Sequence, residues 1–192
     1  MTLACHASYL KGGLARMPDD NTTDRKASDD RDQEHAELIV TSLASAQLQV
    51  EQVGEHQWMT VLSGDYKRTI PVMIELDERS LNVTSLFTGV PDEGHAQVYR
   101  LLLQKNQRPR PVHFALDDAG DIVLVGQLPR RALDTATFES LLGALLTMAD
   151  ETFNQVLRTG FVGYLAAEQR WRERAGLPPN PVGLRSRDED DE

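Results

Sequence analysis

A single cysteine, Cys5, stands in the 192 residues. That excludes an intramolecular disulfide and any metal site built from several thiolates, and it fits a reducing compartment. No apolar run approaches the roughly 18 residues that a membrane span requires. Residues 1–17 also lack the apolar centre of a signal peptide. Thr2-Leu3-Ala4-Cys5 has the look of a lipoprotein cleavage site, but no basic and apolar segment precedes it. Cations are scarce: 20 Lys plus Arg against 30 Asp plus Glu leave a net charge of −10. Such a surface repels phosphate backbones and argues against general nucleic-acid binding. The expectation is a cytoplasmic protein with neither a membrane nor a nucleic-acid partner.

Catalytic signatures are missing too. No serine lies in a Gly-x-Ser-x-Gly elbow, and no glycine-rich run precedes a helix as a phosphate cradle would. Cys5 has no fixed base beside it. His6, His35, His56, His95 and His113 show no close i, i+4 pairing of the kind that holds zinc on a helix. His113 falls on a strand face opposite Phe114, and His95 sits one helical turn from Tyr99, which reads as a surface contact. Asp117, Asp118 and Asp121 lack the alternating ligands and distant glutamate of a calcium loop and read as a hairpin turn. The expectation is a non-enzyme with no catalytic residue, metal or cofactor.

What is present is periodicity. Residues 1–29 have too little apolar content to offset the entropy of ordering and read as a disordered tail. Met17 is an alternative initiator within it. Asp30 with Gln33 resembles a helix cap and its box partner, and Ala36, Ile39, Val40, Leu43 and Ala46 stripe a helix over 31–46. From Leu48 to Thr88 the period becomes two. Turns at Gly54-Glu55, Ser63-Gly64-Asp65 and Asp77-Glu78-Arg79 separate four strands of an antiparallel meander. Pro71 belongs at an unpaired side, a bulge or an edge. A helix follows over 92–105, then the stiff connector Arg108-Pro109-Arg110-Pro111, then a hairpin of Val112/Phe114/Leu116 and Ile122-Val123-Leu124-Val125. The order is α-β-β-β-β-α-β-β-α(α), an α+β fold of antiparallel sheet against helices. The domain spans 30–176, and a proline-rich then acidic tail, read as disordered, occupies 177–192.

The dominant element is the stripe that includes Phe138, Leu141, Leu142, Leu145, Ala149, Phe153, Val156, Phe161, Tyr164 and Leu165, spaced in threes, fours and ones. Asp134 is its expected N-cap, with Leu133 positioned to staple onto Phe138, and Gly176 with Pro178-Pro179 its stop. One helix over 135–175 would run about 60 Å, beyond the roughly 37 Å diameter of a compact domain of this size. It therefore breaks near Asp150 or Gly160/Gly163, or it projects toward a partner. Phe153, Val156, Phe161, Tyr164 and Trp171 form the candidate partner-binding or dimer seam. Arg108, Arg110, Arg130 and Arg131 flank the hairpin at both ends of its sequence. They are the candidate anion-binding residues, able to receive carboxylates or phosphates.

Several motifs resemble the YbjN-like family, described as bacterial sensory transduction regulators with a type III secretion chaperone-like fold. They are Leu81-Asn82-Val83-Thr84, Val112-His113-Phe114-Ala115-Leu116 with Ile122-Val123-Leu124-Val125, and Gly163-Tyr164-Leu165 through Arg172. Gln169-Arg170-Trp171-Arg172 and Gly176-Leu177-Pro178-Pro179-Asn180-Pro181 are similar to actinobacterial members. The resemblance implies a chaperone-like or adaptor protein that dimerises or binds a segment of another protein, along the sheet face or a strand edge. The alternative expectation is a regulator sensing an anionic metabolite or a phosphorylated partner at the arginines.

Overall fold

The computed structural model describes residues 20–180 and 182, with side chains from Asp30 onward. Cys5, His6, Met17 and the acidic stretch 188–192 lie outside the described residues. The chain divides into two units, Met1–Glu34 and His35–Glu192. The described part of the first is helical from residue 20. The second holds the sheet, the later helices and the first helix from His35 onward.

The elements are α1 (Asp20–Ser45), β1 (Val50–Gly54), β2 (Gln57–Leu62), β3 (Ile70–Leu76), β4 (Ser80–Thr88), α2 (His95–Lys105), β5 (Val112–Leu116), β6 (Ile122–Pro129), a short 3-10 turn (Arg130–Ala132), α3 (Thr135–Gly160) and α4 (Val162–Ala175). Their order is the one read from the sequence. Two starts differ. The first helix begins at Asp20 rather than at 31, inside the stretch expected to be disordered. Once the apolar turns from Ala36 to Leu43 nucleate a helix, each residue added upstream costs little and gains a hydrogen bond. The second helix starts at His95 rather than 92. Asp92 and Glu93 donate their N–H groups to Gly160 O at 2.9 and 3.2 Å, and Gly94 turns the chain with φ 61°, a conformation that suits glycine.

Six strands form one antiparallel sheet in the order β1-β2-β3-β4-β6-β5. Pro71 pairs with Val61 on β2, while the ladder to β4 begins at Met73, so its missing donor interrupts nothing. One sheet face (Trp58, Ile70, Val72, Ile74, Leu81, Val83, Phe87, Leu124 and their neighbours) merges into a single buried cluster with Ile39, Leu43, Val98, Phe138, Leu141 and Leu145 from the helices. A large side chain buried in this way stabilises by about 1.5–3 kcal/mol.

The long stripe breaks at Phe161, with φ −140° and ψ 35°, the second of the two places anticipated. Asp134 caps α3 by accepting from Thr137 N. Gly176, at φ 67°, ends α4, and Leu177 N returns to Arg172 O. The chain after this cap, expected to be disordered, folds back as far as it is described. Pro178 O accepts from Arg172, and Asn180 bonds Gln169 and Glu168.

Candidate functional site

The five residues of the expected partner seam separate. Val156 is fully buried in the chain's own core, which removes it from any partner surface; the stripe turns inward there because α3 lies on the sheet. Phe153 meets Phe87 edge-on, with ring centroids 6.0 Å apart, and Phe161 packs against the same core from the joint between α3 and α4. The Lys67 ammonium lies 5.0 Å from the Phe153 centroid and 5.9 Å from that of Phe87, and burial pushes its pKa down. Asp150, the first suspected breakpoint, lies mid-helix and accepts the Tyr66 and Lys67 N–H groups, both at 2.8 Å. It clamps the β2–β3 loop. Tyr164 and Trp171 are 59% and 54% exposed on α4, a helix with no buried residue.

The sheet face opposite the core, expected from the resemblance as a binding surface, contains residues that the sequence did not single out as a site. Reading across the registers, one row runs Gln57–Glu75–Asn82–Gln127. It is knitted by Gln57 to Glu75 at 2.7 Å and Gln127 to Asn82 at 3.0 Å. The next row is mixed: Glu51, Met59, Met73, Thr84, Val125 and His113. At the far border Val61 opposes Pro71, and Leu86 opposes Val123, which opposes Ala115. Val61 is 49% and Leu86 48% exposed. The signal was present in the alternation, since Met59, Val61, Pro71 and Met73 occupy outward positions where water-facing strands carry polar residues. A shallow depression of about 640 Å³ on this face is lined by Thr84, Val125, His113, Gln127 and Arg110 among others.

The edge strand β5 is guarded. Asn106 donates to Phe114 O at 3.0 Å and accepts from Phe114 N at 2.9 Å, filling a pairing site that another strand could use. Beside it, Tyr99, Leu103, Phe114 and Leu116 line an apolar cleft of about 260 Å³. Tyr99 also meets His95 edge-on, at 6.2 Å. In the hairpin, Asp117 Oδ1 accepts from Ala119 and Asp121, while Asp121 Oδ1 accepts from Val90 N. The three aspartates therefore include two that serve turn and loop backbone.

Among the arginines, Arg108 and Arg110 line one cavity together with Lys105. Arg130 is engaged elsewhere, donating to His35 Nδ1 at 2.9 Å and to Asp77 O at 3.4 Å. Arg131 is exposed in the 3-10 turn and lines neither this cavity nor the depression.

A family model described as YbjN, putative bacterial sensory transduction regulator, matches residues 35–158. An uncharacterised protein of Mycobacterium bovis is 36% identical over 115 residues, which cover 60% of this chain and 63% of the relative. The match thus spans less than two thirds of that relative's length. Among solved structures, the chain is similar to the ExoU–SpcU complex of the Pseudomonas aeruginosa type III secretion system. That match has 22% identity and a TM-score of 0.47, over 63% of this chain and 96% of the other. It is also similar to the ExsC–ExsE complex, with 22% identity and a TM-score of 0.46, over 66% and 92%.

Proposed function

The chain belongs to the YbjN family, and from that premise we propose a cytoplasmic adaptor or regulator, without chemistry of its own, that holds an extended segment of a second protein on the open sheet face. The observation that carries this reading is the pair Val61 and Leu86, each about half exposed in the apolar rows of that face. Outward positions of the same face carry polar side chains in the Gln57–Glu75–Asn82–Gln127 row, which supports reading the exposed apolar Val61 and Leu86 as a surface for a partner. Covering them would recover about 25 cal/mol per Å² of apolar surface removed from water. Met59 and Met73 border the strip, and unbranched thioethers adapt to irregular partner surfaces. The polar row along the other border fixes orientation: a segment would lay apolar side chains over Val61, Pro71 and Leu86 and basic or amide side chains over Glu75 and Asn82. Self-association through α4 belongs to the same reading.

The test is a double substitution, Val61→Asp with Leu86→Asp. Both positions are half in water, so the variant should melt within a few degrees of wild type. It should fail to retain a protein that wild type holds stoichiometrically when purified from its own cells. Equal retention by the two would exclude the open face as the binding surface.

A further inference from the structure

We propose that the cavity between the end of α2, the connector before β5 and the middle of α3 binds a small molecule carrying a phosphate group. The cavity measures about 270 Å³, which suits a compact metabolite and is too small for a dinucleotide. Three cations line it: Lys105 from the last turn of α2, and Arg108 and Arg110 from the connector. Within the described residues none of the three is held by a carboxylate. On a chain of net charge −10, three unneutralised cations at one place stand out against a surface rich in acids.

One carboxylate, Glu151, also lines the cavity. The local balance of three cations and one anion is therefore two positive charges, matching a phosphate monoester, which carries about −1.5 to −2 at pH 7. Arginine guanidinium groups present planar forks that grip phosphate oxygens bidentately, and the ammonium adds a point charge. Gln104 from α2 and Gln155 from α3 also line the cavity and carry neutral amide donors. Pro109 and Pro111 bracket Arg110 and fix the backbone on both sides, so less freedom is lost when the anion binds. A nucleic acid presents many charges over a long surface and meets the overall negative field, whereas a small dianion inside the cavity meets the local positive one. The site is separate from the open face proposed for the protein segment, apart from Arg110, which lines both.

The experiment is isothermal titration of the full chain in low-salt buffer at pH 7.5, with phenyl phosphate as probe. Saturable one-to-one binding is expected. Arg108→Gln with Arg110→Gln should weaken it by roughly tenfold or more, the scale of losing charge-assisted hydrogen bonds. Arg131→Gln should leave it unchanged, as should the open-face pair Val61→Asp/Leu86→Asp. Benzoate, with one charge, should bind roughly tenfold more weakly than phenyl phosphate. Thermal melting without ligand verifies that each variant is folded. No saturable binding to wild type, undiminished binding to the Arg108/Arg110 variant, or equal affinity for benzoate would each overturn the proposal.

Discussion

Asp134 shows how much one side chain does at a boundary. Its carboxylate accepts the Thr137 N–H at 2.7 Å, satisfying a donor that the first turn of α3 leaves without an intrahelical partner. Hydrogen bonds from the Thr137 backbone, then from its side chain, hold the carboxyl below its ordinary value of 3.8. A carboxyl whose pKa is lower folded than unfolded stabilises the fold above the unfolded value and loses that contribution as pH falls through the folded one. Asp134→Ala should therefore lower the melting temperature at pH 7, and the deficit should shrink as the pH drops below about 4. Asp134→Asn, a neutral acceptor of similar geometry, should keep most of the stability at every pH. A deficit in Asp134→Ala that stayed constant down to pH 2 would show that the charge plays no part.

At the scale of elements, the break between α3 and α4 has a cause distant in sequence. Phe161 occupies the N-cap position of α4 and has no side-chain oxygen to offer. The acceptor comes instead from Glu93, whose Oε1 takes the Gly163 N–H at 2.9 Å from 70 residues upstream. Gly160, just before the break, fits because a Cβ there would press on Val98 and Pro91, at 2.9 and 3.0 Å. Glu93→Ala should fray the first turn of α4, at a cost of about 0.5–2 kcal/mol for a lost cap. Amide exchange would then quicken at Gly163 and Tyr164 but not in α3. Unchanged exchange at Gly163 would reject the capping role. This is also where legibility ends. Asp134, Gly176 and the strand alternation were readable because their determinants lie within a few residues. The choice of Phe161 over Asp150 was not, because it rests on Glu93 and on the loop that Asp150 clamps. Arg130, grouped by sequence with the other arginines, likewise turns to His35, 95 residues away.

For the molecule as a whole, the unresolved tension of the long stripe reappears in a smaller form. Half of it is spent on the core: Phe138, Leu141, Leu145, Ala149 and Val156 are fully buried, and Phe153 and Phe161 pack against them. The remainder, α4, has 14 residues and buries none, at a length where a helix in water is marginal without packing. Tyr164, Ala167 and Trp171 recur at intervals of three and four on its exposed side, the spacing of a single stripe. A second copy offering the same stripe would cover both aromatics with a surface that is apolar at its centre and charged at its margins. We propose that association occurs there. Light scattering at about 100 µM should give twice the chain mass of 21.4 kDa. Tyr164→Ser with Trp171→Ser should weaken the dimer by roughly 30-fold or more, as expected for removal of an aromatic anchor worth about 2 kcal/mol. The melting temperature of the core should scarcely change in that variant, because neither ring contributes to it. A wild-type monomer at that concentration would refute self-association through α4.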